Sequence, residues 1–294
     1  MTDQIKLPSG EVLDIEISGS KDGFPLIWLH GTPGARTVIP SLARVCEAKG
    51  LKLITFSRAG YGSSTRRKGR KIVDEADVVE ALLKELGHET CYVGGWSGGG
   101  PHALACAARL ESCVAVLHIA GVAPYDADGL DWMAGQGQDN IDETNASLQG
   151  EDAVRKFVED QRKDMLTADV KGLTEIMATI LPDVDREVLL KDDELGQETV
   201  DSFKEGLKHG ADGWIDDDLA FITPWGFDVS EVKCPVFLYH GDADLMVPYS
   251  HGKWLVEHIP EKYLTKHLQP GQGHISIFMG QADQMVDELL SVKH

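Results

Sequence analysis

Along the first 120 residues, short apolar runs alternate with segments of helical periodicity. Glu11 to Ser18 (EVLDIEIS) switches between apolar and polar with a period of two after a Ser9-Gly10 turn, which predicts a half-exposed strand and is read as the N-terminal antiparallel edge of a sheet. Pro25 to His30 (PLIWLH), Leu51 to Ser57 (LKLITFS), Cys91 to Trp96 (CYVGGW) and Val114 to Ala120 (VAVLHIA) are short and mostly apolar, the pattern of parallel strands covered on both faces. Between the second and third of these, Asp74 to Leu86 places Ala76, Val79, Leu82, Leu83 and Leu86 at helical spacing and stops at Gly87. Strand-helix alternation of this kind predicts an α/β fold with a mostly parallel, doubly wound sheet.

From about Pro124 to Trp225 the strand pattern lapses and helices are predicted instead, at Ala153 to Met165, Leu173 to Leu181 and Thr199 to His209. Alternation then resumes with Pro235 to His240 (PVFLYH), a helix from about Ser250 to His258, a short strand Leu264 to Gln269 and a last helix Ile275 to Val292. The expected organisation is a core of residues 1–123, a mainly helical cap insertion of residues 124–228, and the rest of the core in residues 229–294.

Charge separates these units. The chain has 294 residues and a formal net charge of −20, which argues against nucleic acid and anionic membrane surfaces as partners. Residues 121–230 hold 27 acidic against 9 basic side chains, so most of the excess lies in the predicted insertion. The N-terminus shows neither the basic nor the apolar segment of a secretory signal, and no apolar run approaches the ~20 residues of a membrane span. Five scattered cysteines, Cys46, Cys91, Cys106, Cys113 and Cys234, suit reduced thiols in a cytoplasmic protein.

Chemistry gathers where predicted strands end. Gly95-Trp96-Ser97-Gly98-Gly99 follows a strand and opens a helix near Gly98; it matches G-x-S-x-G, in which a serine sits on a sharp turn. Gly95 and Gly99 suit the close crossing of strand and helix that such a turn needs, and the helix start favours negative charge beside Ser97. A serine hydroxyl needs a base. Of eleven histidines, His30 and His240 end strands and suit loop shaping, His118 lies within a strand, and His102 sits in the helix after Ser97. His274 follows the flexible stretch Gln269-Pro270-Gly271-Gln272-Gly273 after the last strand, from which an imidazole can reach over the sheet edge. The loop after Pro235 to His240 offers two carboxylates, Asp242 and Asp244.

Taken together, HGTPG at 30–34, SRAGYGSS at 57–64, GGWSGGG at 94–100, HGDADLMVP at 240–248 and GQGH at 271–274 resemble the α/β-hydrolase superfamily, in its serine-nucleophile branch with a helical cap. The resemblance runs nearly end to end. It implies Ser97 as nucleophile, His274 as base and, through the family's H-G-x-x-D-x-x-V-P pattern, Asp244 as the acid, leaving Asp242 to shape the loop. It also places an oxyanion hole at the backbone N–H groups of Thr32 and Gly98, with His30, Gly31, Pro33 and Gly34 forming the loop that carries Thr32; Pro33 itself has no N–H to give. Ser57 stands near where the family commonly has Asp, a departure that touches a loop and not these roles. HGTPG and the R-x-G-Y-G-x-S turn are similar to those of proline iminopeptidases and of many esterases. Relatives that form alkyl-enzymes carry Asp where this chain has Ser97.

Neither a Walker A motif nor a dinucleotide fingerprint nor zinc-ligand spacing is present, so no cofactor and no metal are expected. The expected function is hydrolysis of a carboxylic ester, or a related acyl bond, of a small molecule. Alternatives are a proline-iminopeptidase-like aminopeptidase with the same triad, a ligand receptor and a cofactor-free lyase. Trp132, Met133, Phe157, Met165, Met177, Trp214, Phe221 and Trp225 could line an apolar pocket, although most are expected to form the insertion's own core. The acidic runs Asp192 to Glu194 and Asp216 to Asp218 are expected on a solvated face, with attraction of a cationic substrate as the sharper alternative.

Overall fold

The computed structural model describes residues 2–293. Eight strands form one sheet: β1 (Thr2–Lys6), β2 (Val12–Gly19), β3 (Phe24–Leu29), β4 (Leu51–Phe56), β5 (Cys91–Trp96), β6 (Cys113–Ile119), β7 (Val236–Gly241) and β8 (Leu264–Gln269). Their order is β1-β2-β4-β3-β5-β6-β7-β8. β1 and β2 are antiparallel additions; β4 onward, every neighbouring pair is parallel. The antiparallel edge is thus β1, not β2, which pairs on both sides. β1 escapes sequence reading because Ile5 is its one strongly apolar residue.

Helices cover both faces of the sheet. α1 (Pro40–Lys49) and α11 (Ala282–Ser291) pack on one, and α2 (Asp74–Glu85), α3 (Gly99–Arg109) and α10 (Tyr249–His258) on the other. Because strand side chains alternate, Ile27, Val93, Val116 and Leu238 enter one core while Leu26, Tyr92, Leu117 and Tyr239 enter the other. The predicted helix over 275–292 is broken: a short 3-10 turn at Ser276–Phe278 precedes α11, and Gly280 between them takes a φ of 66° that continues no right-handed helix.

Between β6 and β7 the chain forms six helices: α4 (Gln138–Leu148), α5 (Glu151–Thr167), α6 (Val170–Ile176), α7 (Asp183–Lys191), α8 (Asp193–Leu207) and α9 (Asp212–Phe221). α6 stops short of the predicted Leu181, and α4, α7 and α9 carry too many acids and too few evenly spaced apolar residues to stand out in sequence. Among the described residues, no helix is long and apolar enough to cross a membrane. All five cysteines are buried and unpaired.

Candidate active site

Sheet order reverses between β3 and β5, since the chain runs outward from β3 to β4 and then returns to place β5 on β3's other side. Loops leaving two such strands part in opposite directions and open a crevice at their carboxyl ends. His30 to Gly34 leaves β3 there, and Ser97 leaves β5.

Ser97 holds a φ of 56°, a left-handed conformation unusual for a residue with a side chain. Its N–H donates to Ile119 O at 2.9 Å and its carbonyl accepts from Gly100 N–H at 2.9 Å, so the turn is tied to β6 and to the start of α3. The neighbouring glycines are required by contact: a Cβ on Gly95 would collide with the backbone of Gly99, and one on Gly99 with the carbonyls of Leu29 and His30. Gly98 caps α3. A Cβ placed on Gly31 would lie 3.4 Å from Ser97 Cβ and 3.8 Å from its Oγ, and the Thr32 side chain lies directly against Gly98. The two sequence-predicted donors, Thr32 and Gly98, are therefore neighbours beside Ser97; the Thr32-Pro33 peptide is cis.

His274 comes from the loop after β8. Its Nδ1 donates to Asp244 Oδ2 at 2.7 Å, and both side chains are almost wholly buried. Asp244 Oδ1 accepts the N–H groups of Met246 and Val247, each at 2.8 Å, which fixes the carboxylate before the ring meets it. Asp242 points elsewhere, accepting Gly271 N–H at 2.6 Å. Behind Asp244, His240 Nε2 donates to Val247 O at 2.8 Å; burial lowers its pKa and keeps it neutral. Burial also works against a charge on His274, but Asp244, and then Asp185, outweigh it and raise the pKa above the ordinary histidine value.

Ser97, His274, Thr32 and Gly98 all line one cavity of about 220 Å³. The segment between β6 and β7 supplies one wall: Trp132, Met165, Met177, Trp214 and Phe221 line it, so five of the eight aromatic and sulfur residues face the cavity, more than expected, while Met133, Phe157 and Trp225 pack elsewhere in the core.

Asp192 to Glu194 lies at the surface, as expected. Asp216 to Asp218 does not: the three are 2%, 0% and 7% exposed. Successive helical positions turn by about 100°, so three acids in a row between Trp214-Ile215 and Leu219 to Ile222 cannot share one solvent face. Asp216 takes two hydrogen bonds from Arg66, at 2.9 and 2.8 Å. Asp217 Oδ2 accepts from Arg58 at 2.6 Å, Thr32 Oγ1 at 2.7 Å and Tyr61 OH at 2.8 Å, while Arg70 lies 2.5 Å from Oδ1. Burial would raise the Asp217 pKa, but Arg58 and Arg70 prevail and hold it well below the usual carboxylate range. Arg58 also donates to the carbonyls of His30 and Gly31, so Asp217 anchors the Thr32 loop.

Asp218 faces the cavity with Glu143, Glu198 and Asp139. Burial and its neighbour Glu143 push Asp218 well above the usual range, and burial raises Glu143 as well. Glu198, held by Thr37 Oγ1 at 3.0 Å, is pushed up by burial to about 7. Sequence reading passed over Asp139, Glu143 and Glu198 and gave Arg58 no role of its own; Asp218 was singled out only as part of an acidic triplet expected on a solvated face. Among the described residues no group of His, Cys, Asp and Glu forms a metal site.

Known proteins resemble the chain over part or most of its length. Residues 25–281 match the profile of a family described as alpha/beta hydrolase fold. The chain is 24% identical over 254 residues to the AB hydrolase superfamily protein YisY of Bacillus subtilis (strain 168), covering 85% of each. It is 29% identical over 132 residues to a proline iminopeptidase of Arabidopsis thaliana, covering 44% of this chain and 34% of that one. Among solved structures, a thermophilic esterase from Thermogutta terrifontis superposes with a TM-score of 0.70 over 99% of this chain and 98% of its own, at 18% identity, a likeness of fold alone.

Proposed function

Since the chain belongs to the α/β-hydrolase fold family, we propose that it hydrolyses a carboxylic ester, or a related acyl bond, of a small molecule through an acyl-enzyme on Ser97. The observation that carries this reading is the joint placement of Ser97, held at a φ of 56°, and His274, tied through Nδ1 to Asp244, on one cavity. With its Nδ1 proton engaged by Asp244, the neutral imidazole presents an unprotonated Nε2 as base. Ser97 Oγ attacks the acyl carbon as its proton passes to that nitrogen. The N–H groups of Thr32 and Gly98 receive the developing oxyanion, each such donor typically being worth about 3 kcal/mol of barrier. His274 then returns the proton to the leaving oxygen, and water, activated in the same way, releases the acid.

In this reading residues 124–228 act as the cap over a core of residues 1–123 and 229–294, and the cap's wall sets substrate choice. The chemistry needs no cofactor. Five buried, unpaired thiols support a cytoplasmic location.

A second reading has a specific observation behind it. Asp139, Glu143, Glu198 and Asp218 line the insertion side of the cavity, and among the described residues no Lys or Arg pairs with Glu143, Glu198 or Asp218. Acids with no paired cation, able to ionise beside a bound ammonium group, suit an acyl substrate with a free amine, such as the N-terminus of a peptide.

A fluorophosphonate probe, with the adduct located by peptide mass, tests the first reading without a guess at substrate. Rapid labelling of Ser97, lost in Ser97→Ala and His274→Ala, is expected; a folded protein left unlabelled at Ser97 would sink it. Parallel turnover of neutral esters and of proline arylamides separates the two readings.

A further inference from the structure

Asp185 lies in α7, 89 residues before the loop it grips, and its side chain is wholly buried. Oδ2 accepts the main-chain N–H of His274 at 2.7 Å and Oδ1 that of Ser276 at 2.8 Å. Ser276 Oγ in turn accepts the N–H of Gly273 at 2.7 Å. The fit is close, because a Cβ on Gly273 would collide with the Asp185 carboxylate. On the other side, Trp96 Nε1 donates to His274 O at 3.1 Å. The main chain of His274 is thus held at its N–H by the insertion and at its carbonyl by the residue before Ser97.

The two N–H donors are met by separate oxygens of one side chain, Oδ2 for His274 and Oδ1 for Ser276. A carboxylate has them; an amide would turn its NH2 towards one of the donors. Such a demand is more than burial of an apolar helix requires, and it falls on the one loop that carries the base.

We propose that Asp185 is a positioning residue of the hydrolytic site: it seats the His274 loop so that the imidazole lies between Asp244 and Ser97, and it places a second negative charge behind the ring. This rests on the roles assigned above to Ser97 and His274. The titratable groups facing His274 are Asp244 from the loop after β7, the neutral His240 from the end of β7 and Asp185 from α7. Asp139, Glu143, Glu198 and Asp218 share its cavity. On α7, Arg186 donates to Ala178 O, Lys191 pairs with Glu187, and Asp183 is exposed, leaving no cation paired with Asp185 among the described residues. Its charge is met by main-chain N–H groups and bears on the imidazolium, which both carboxylates favour over the neutral ring.

The test is the pH dependence of Ser97 labelling by a fluorophosphonate in the wild type, Asp185→Asn and Gly273→Ala, with folding followed by circular dichroism. Asp185→Asn is expected to slow labelling on the order of tenfold to a hundredfold, as misplacing a reacting group does, and to move the acidic limb to lower pH, because a base with one carboxylate fewer loses its proton sooner. Gly273→Ala, which presses on the same contact from the loop side while keeping the charge, is expected to slow labelling with a smaller movement of the limb. An Asp185→Asn protein with the wild-type rate, or with a slower rate but an unmoved limb, would overturn the proposal; if that variant does not fold, wild-type labelling by Gly273→Ala does so. A wild type unlabelled at Ser97 would bring down the hydrolytic reading and this one together, whereas a labelled wild type with an indifferent Asp185→Asn brings down this one alone.

Discussion

Asp217 and Asp218 are adjacent on α9 and almost equally buried, yet they face two regions that treat a carboxylate in opposite ways. Under the helix, Arg58 and Arg70 surround Asp217 and keep it ionised. Over the cavity, Asp218 meets Glu143 and, among the described residues, no paired cation, and its pKa rises instead. Burial penalises both charges alike; what differs is whether a partner of opposite sign is buried with them. The first region is a fastening between the insertion and the Thr32 loop. The second is a lining whose charge is still negotiable, as a surface meant to meet a ligand can be.

Removing the fastening should have the largest effect. Asp217→Asn leaves Arg58 and Arg70 buried without their counter-charge and is expected to cost about 3–5 kcal/mol of stability, read as a lower urea midpoint at unchanged slope. Labelling of Ser97 should slow as well, since the carboxylate that anchors Thr32 Oγ1 and Arg58 is replaced by a neutral amide. A loss under about 1 kcal/mol would show that the arginines find other partners and that the contrast with Asp218 is smaller than the geometry implies.

Substrate charge should give the next effect. Under the amine reading, KM for an amine-bearing substrate is expected to fall as pH rises through about 7, where Glu198 loses its proton, while KM for a neutral ester stays flat. Glu198→Gln should abolish that dependence, and equal pH profiles for the two substrates would remove the cavity acids from recognition. The smallest effect is expected from Asp218→Asn. Burial and Glu143 push its pKa up, so the site favours the neutral form, and the neutral amide should change stability by less than about 1 kcal/mol. A large loss there would mean that Asp218 is ionised, and the comparison with Asp217 would fail. Under the hydrolytic reading, the wild-type acidic limb of kcat/KM should lie above the ordinary histidine value, because His274 must be neutral to act as base and its pKa is raised.

Much of the core could be read from the chain. Strands β3 to β7 announce themselves as mostly apolar runs with a glycine soon after, β8 is a short run before Pro270, and Ser97, Asp244 and His274 each follow a strand end, so their level on the sheet is a local matter. Weakly patterned elements were hidden: β1 has one strongly apolar residue, and the last helix breaks at Gly280 although apolar residues continue on both sides. The acidic triplet of α9 was misplaced for a different reason. Composition predicts a solvated face, while burial depends on Arg58, 159 residues away from Asp217, and on Arg66, 150 residues away from Asp216.

The sequence by itself determined the strand ends, the glycine-framed turn at Ser97 and the loops that carry Asp244 and His274, because backbone sterics and hydrophobic period act over a few residues. Only the tertiary structure decided which acids of the insertion are bound to arginine, which line the cavity and which one holds the His274 loop. A carboxylate's state is set by the charges and donors within a few ångströms of it, and here those come from chain segments 70 to 160 residues away, where no local pattern can register them.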